Sequence, residues 1–286
     1  MRALVLSGGG AKGAHSVGVI KYLVEDLGLQ YDCLCGISVG ALNAAYMALY
    51  PKGQEKQALA GLENLWLWLS TSRVRKNWLP LGPVHALWLD SIYNSEPLMD
   101  LVHTDVDLKK IRANGRKVAV GATSVTKAQY RTFTQDDDCF VDGVLASSAF
   151  PMGLCPIVID GEKYSDGGLK HIVPVQEAIN FGATDLDVVV CGPPSTTSSF
   201  DDVDTITYGL RCLDLMCDQL TQSDLKIPQL YNQIVDAGGA PDKKHLNIKV
   251  VRPMADLPYD ALSFDNSAIK AMMAQGYQDA KQQYVL

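Results

Sequence analysis

The sequence predicts an α/β protein built on a largely parallel sheet. Short apolar runs alternate with helical stretches along the whole chain, the pattern of strands joined by crossover helices. Two of those runs, residues 2–6 and 33–37, pass directly into glycine-bearing turns that open helices, and strand ends of this kind are where α/β sheets build their sites.

Taken in order, residues 2–6 (RALVL) form the first strand, followed by Ser7-Gly8-Gly9-Gly10-Ala11-Lys12-Gly13 and a helix to about residue 26. Residues 33–37 form the second strand, and the small-residue run after Ser38 forms its helix. The window 52–90 is the least typical part of the chain and holds all four tryptophans: Trp66, Trp68, Trp78 and Trp88. Leu62, Leu65, Trp66 and Leu69 share one helical face, whereas Leu67 and Trp68 lie off it, and Arg73, Arg75 and Lys76 follow. That combination fits an interfacial element or an active-site lid, and equally a helix buried between neighbours beside a solvated basic loop.

Residues 95–114 read as short polar helices, with Asp105-Val106-Asp107 at a helix start. Residues 117–124 and 129–133 are strands, Asp136 to Asp138 is a solvated N-cap, and 139–150 is a helix ended by Pro151. Residues 156–159 and 163–165 form a hairpin around Asp160-Gly161 that delivers Asp166-Gly167-Gly168. The last third adds strands at 186–191 and 246–251, helices at 203–219, 224–236 and 266–282, and loops at 192–202 and 236–244. With no repeat and no linker, a single domain over residues 1–286 is expected.

Composition narrows the function. A net charge of -7 leaves no basic stripe with which to displace counterions from nucleic acid, so no nucleic-acid partner is expected. The seven cysteines are odd in number and follow no framework spacing, as reduced thiols in a cytoplasmic protein would. Cys33-x-Cys35 and Cys212-x4-Cys217 lack a His-rich partner and read as buried thiols rather than metal ligands. The N-terminus is too short for a signal sequence, and no run approaches the ~18 apolar residues of a membrane span. Membrane contact is therefore expected to be peripheral.

Gly36-Ile37-Ser38-Val39-Gly40 has the strand, turn and helix context of a nucleophile elbow. The turn is too sharp for Cβ atoms on both sides of the serine, and the following helix N-terminus favours a developing negative charge near Ser38. The glycines of Gly8 to Gly13 leave backbone N–H groups approachable by an oxyanion. The same residues fit a rival fingerprint, Gly8-x-Gly10-x-x-Gly13 with Asp32 as the ribose-binding acid of a dinucleotide-binding oxidoreductase. Asp32, however, begins the second strand where that acid should end it. A Walker loop is excluded because Ala14 follows Gly13.

Together, GGGAKG, GISVG and SDGG resemble the patatin-like phospholipase family, in which a glycine-rich oxyanion loop, a G-x-S-x-G elbow and an Asp-Gly-Gly/Ala motif occur in this order. Ala146-Ser147-Ser148-Ala149-Phe150-Pro151 and the stretches Phe264-Asp265-Asn266 and Gly276-Tyr277 are also similar to it. The resemblance implies a three-layer α/β/α fold with a mainly parallel sheet, related to α/β-hydrolases. It further implies a dyad of Ser38 as nucleophile and Asp166 as base, with an oxyanion hole from Gly8, Gly9, Gly10, Ala11, Lys12 and Gly13. Gly36, Gly40, Gly167 and Gly168 complete the motifs. Lys12 and Ser7 depart from the Arg and Asp usual in plant patatins.

A dyad sets physical conditions. An ordinary aspartate, pKa about 3.9, is a weak base toward a serine hydroxyl, so burial must raise its basicity. His171 and His245 keep a Ser-His-Asp triad formally open, although neither sits in a supporting motif; His15, His85 and His103 read as surface or core residues. The expected activity is hydrolysis of fatty-acyl esters of phospholipids or lysophospholipids through an acyl-enzyme, with no cofactor and no metal. The alternatives are the oxidoreductase above and a catalytically silent membrane- or partner-binding protein.

Overall fold

The computed structural model describes residues 1–78, 88–194, 205–239, 242, 244–255, 257 and 264–284. Its centre is an eight-stranded sheet. β1 (Arg2–Leu6), β2 (Cys33–Ile37), β5 (Lys117–Ser124), β9 (Asp185–Val189) and β10 (Asn247–Val251) run parallel in the spatial order β10, β9, β1, β2, β5. β6 (Gln129–Thr134), β7 (Ile157–Ile159) and β8 (Glu162–Asp166) join antiparallel at the β5 side. A two-stranded ribbon of β3 (Lys76–Asn77) and β4 (Tyr93–Asn94) lies apart.

Strand periodicity divides the core. Leu4, Leu6, Leu34, Val118 and Val120 face one hydrophobic cluster, which they share with residues of α1 (Gly13–Lys21), α2 (Val39–Ala48), α3 (Glu55–Trp68), α5 (Glu96–Asp105), α7 (Phe140–Ser147) and α10 (Asn266–Gln283). Ala3, Val5, Cys33, Cys35 and Ala119 face the other, closed by α8 (Val175–Asn180) and α9 (Thr205–Asp236). With both faces covered, these strands carry apolar residues toward both layers, as buried parallel strands do. The result is helix, sheet and helix in three layers.

Register explains how the antiparallel strands reach the site. β2 pairs with β5 up to Ile37 opposite Gly121, and β8 takes over with Asp166 opposite Ala122. β6 occupies the other edge of β5 along Ala119 to Ser124, so β2 and β8 share one edge and their C-terminal ends meet head to head.

Several elements differ from expectation. The helices expected at 203–219 and 224–236 are one helix, α9. The polar residues between them do not break it, because the Thr221 and Ser223 hydroxyls donate to the carbonyls of Cys217 and Gln219 one turn back. Pro228 is accommodated within the same helix. α7 stops at Ser147 rather than at Phe150, and its N-cap is Cys139. Asp137 instead closes the preceding turn, accepting from the Thr134 N–H at 2.7 Å. The helix start near Asp107 is as expected: its carboxylate caps α6 (Leu108–Asn114) by accepting from the amides of Lys109 and Lys110. In the Trp-rich window, Leu62 and Trp66 are core residues, whereas Leu67 and Trp68 are exposed. That helix is therefore buried along one face and open to solvent along the other.

Candidate active site

Ser38 links β2 to α2 with φ 55° and ψ -127°, a conformation that costs a non-glycine residue energy and is kept only where neighbours impose it. The imposition is steric. A Cβ on Gly36 would lie 2.1 Å from the Gly40 carbonyl oxygen, and one on Gly40 would lie 2.3 Å from that of Leu6. Two further serines hold the elbow: Ser147 Oγ accepts the Ser38 N–H at 2.9 Å, and Ser148 Oγ donates to the Ser38 carbonyl at 3.2 Å. The sequence contained these residues in its ASSAFP stretch, but nothing in their spacing indicated that their hydroxyls clamp a turn more than a hundred residues away.

Asp166 ends β8 with its side chain buried. Its carboxylate accepts the Gly168 N–H at 2.7 Å and shares a cavity with the Ser38 side chain. Burial pushes its pKa up to about 6, and the neighbouring Ser38 hydroxyl and Gly168 N–H restrain the rise. Ala149 carries the approach from the other side, its carbonyl accepting the Asp166 N–H at 3.0 Å and the Ser165 hydroxyl at 2.7 Å. Gly167 allows β8 to close on β5, since a Cβ there would lie 2.3 Å from the Gly121 oxygen.

The glycine loop lies beside this pair. Ser7 anchors it, donating its N–H to the Val189 carbonyl while its hydroxyl accepts the Cys191 N–H. The Gly8 N–H is engaged by the Ile172 carbonyl at 3.2 Å, that of Lys12 by Gly9, and that of Gly13 by Gly10 and Ala11. The N–H groups of Gly9 and Gly10 have no acceptor among the described residues. Asn43 ties the loop to the helices behind it, donating to the Gly13 carbonyl at 3.4 Å and accepting Trp66 Nε1 at 2.9 Å.

Asp224 on α9 braces the segment that follows Asp166. One carboxylate oxygen accepts the amides of Ile172 and Val173 at 2.7 and 2.9 Å, and the other meets His171 Nδ1 at 2.8 Å. The hydrogen bond to Asp224 raises the His171 pKa. The triad alternatives find other partners: His171 belongs to Asp224, and His245 lies 3.6 Å from Asp236 at the surface. His15 is buried against Asp279 at 2.9 Å, His103 lies 3.2 Å from Asp142, and His85 lies outside the described residues. Asp32 sits at the opposite end of the sheet, accepting the Arg2 N–H and Lys52 Nζ. That is a strand's length, about 16 Å, from the glycine loop, too far for the ribose of a nucleotide held there.

Ser38, Asp166, Gly8, Gly9, Gly10 and Lys12 line one cavity of about 760 Å³. Its walls are mainly apolar side chains of α2, α3 and α5, with Leu154, Leu169 and residues of α9 on other sides. A strained serine, a buried aspartate and bare amides thus share one apolar cavity at the C-terminal ends of the strands, groups of the kinds that acyl transfer requires.

The sequence profile of the patatin-like phospholipase family matches residues 4–179, more than half of the chain, and the chain belongs to that family. Patatin-like phospholipase domain-containing protein 6 of Mus musculus is 28% identical over 210 residues, which are 72% of this chain and 14% of that protein. Neuropathy target esterase sws of Drosophila melanogaster is 25% identical over 207 residues, 72% of this chain and 13% of its own length. The chain thus spans a small part of the curated relatives it matches. Among solved structures, VipD from Legionella pneumophila superposes with a TM-score of 0.48 at 15% identity, over 99% of this chain and 66% of that one.

Proposed function

We propose that the chain is a lipid acyl hydrolase that cleaves fatty-acyl carboxylic esters of phospholipids or lysophospholipids with Ser38 and Asp166. Family membership supports the lipid ester class. The observation that carries the mechanism is that Ser38 lines one cavity with Asp166, whose burial makes it a stronger base than a solvated carboxylate. Ser38 Oγ attacks the ester carbonyl as Asp166 takes its proton, and the tetrahedral oxyanion is received by the Gly9 and Gly10 amides and the N-terminus of α2. The alcohol leaves with the proton from Asp166, giving an acyl-serine. Water then attacks that ester, Asp166 accepting its proton and returning it to Ser38 as the fatty acid departs. The chemistry calls on no metal or organic cofactor.

The substrate resides in a bilayer or micelle, so the protein works as a peripheral visitor to that surface. No helix among the described residues is long and apolar enough to cross a membrane. Exposed Leu67 and Trp68, with the Arg73 guanidinium 3.7 Å over the Trp68 ring, offer an apolar group flanked by a cation for such contact.

The test is fatty-acid release from mixed phospholipid vesicles by wild type, Ser38→Ala and Asp166→Asn. Release by the wild type that disappears in both folded variants supports the reading. Release that survives in Ser38→Ala refutes the nucleophile, and absence of release from vesicles and from a soluble short-chain ester refutes the activity of this chain by itself.

A further inference from the structure

The cavity that holds Ser38 extends along α2, and the helix itself provides a scale. Val39, Leu42, Asn43 and Tyr46 recur at helical spacing and all line the cavity. Beyond Tyr46 the walls stop. Met47 on α2 is fully buried in the core, and Gly61 on α3 packs against the Tyr46 hydroxyl, an added Cβ there lying 3.0 Å from its oxygen. On and just past α5 the lining runs through Leu98, Leu101, Val102, Asp105 and Val106. The arm that starts at Ser38 therefore has the half-buried Tyr46 ring as its last wall on α2, with Asp105 and Val106 also on its lining.

We propose that Tyr46, backed by Asp105, is the residue that sets the acyl-chain length this site accepts. This rests on the reading that the cavity receives an acyl chain. From Ser38 to Tyr46 the helix advances about 12 Å, which an extended chain of roughly nine or ten carbons fills. Longer chains must leave their distal carbons outside the arm. Leu42 stands one turn nearer to Ser38 on the same wall, so bulk added there shortens the arm by about 5 Å.

The test separates the gauge from the chemistry by measuring binding in a Ser38→Ala background, with primary n-alkanols of about six to about fourteen carbons displacing a fluorescent apolar probe. Each methylene that enters the arm tightens binding about fourfold, and the gain stops when the chain reaches the end wall. The break is expected near nine or ten carbons with Tyr46 present, at a longer chain in Tyr46→Ala, unchanged in Tyr46→Phe, and at a shorter chain in Leu42→Trp. A break that stays in place in Tyr46→Ala overturns the proposal, as does one unmoved in Leu42→Trp, affinity that rises without a break in the parent, or alkanols that fail to bind. If Tyr46→Ala does not fold, Leu42→Trp decides. Fatty-acid release by the protein with Ser38 intact is scored in parallel. Moving breaks without release leave the gauge standing and reject the hydrolase reading, whereas release with an unmoved break rejects the gauge alone.

Discussion

Ser147 receives the backbone N–H of Ser38 at 2.9 Å, so a residue at the end of α7 holds the turn between β2 and α2. Ser147→Ala leaves that N–H buried without an acceptor, at a cost of about 1–3 kcal/mol. Urea unfolding should show the midpoint falling with an unchanged slope. Release of fatty acid should fall by more than the unfolded fraction explains, because the strained Ser38 backbone loses one of its restraints.

As the proposed base, Asp166 predicts a pH response. Burial raises its pKa to about 6, so its basic form dominates above that value and hydrolysis should decline as pH falls through about 6. Stability moves the other way. The folded state binds this proton more tightly than the unfolded chain, whose carboxyl titrates near 3.8, so the favourable contribution is complete below about 3.8 and is lost as pH rises through about 6. Asp166→Asn, which removes the buried charge, should be more stable than wild type at alkaline pH by up to roughly 3 kcal/mol, the gap closing in acid. Thermal unfolding of both proteins across pH tests this; a less stable Asn variant at high pH contradicts it.

Gly40→Ala places a Cβ 2.3 Å from the Leu6 carbonyl oxygen, a backbone atom that cannot swing aside. Loss at the upper end of about 1–3 kcal/mol is expected, together with loss of hydrolysis, since β1 and α2 must part. Calorimetry and ester turnover on the same preparation check both effects.

Far from the site, Arg116 and Glu55 form a buried ion pair at 2.8 Å, and Glu55 also accepts the amides of Tyr31 and Gly53. Arg116→Met strands that carboxylate and should cost about 3–5 kcal/mol. At temperatures where the variant remains folded, its turnover should match wild type, because the pair lies at the N-terminal ends of the parallel strands.

Trp68→Ala should reduce partitioning onto anionic phosphatidylglycerol vesicles while changing stability by no more than about 0.5 kcal/mol, since the ring is exposed. A sedimentation assay with sucrose-loaded vesicles measures the first, and undiminished binding rejects this face as the contact.

The sequence by itself determined most of the secondary structure and the local geometry of the elbow. Strand interiors such as residues 118–122 are apolar because both faces are covered, and GISVG demands a turn that only glycines at positions 36 and 40 can make. These are effects among near neighbours, so they are legible in short windows. The continuity of α9 was not, because it depends on hydroxyls returning to carbonyls one turn back, where the composition of residues 220–223 suggests a break. The nearness of Ser38 and Asp166 was implied by family resemblance rather than by their separation along the chain. Tertiary structure decided it through β5, whose single edge pairs first with β2 and then with β8. The elbow clamp of Ser147 and Ser148 and the brace from Asp224 likewise exist only once the helices pack. Each joins groups distant in sequence through a hydrogen bond or a contact, and neither composition nor periodicity encodes which distant partner a side chain will meet.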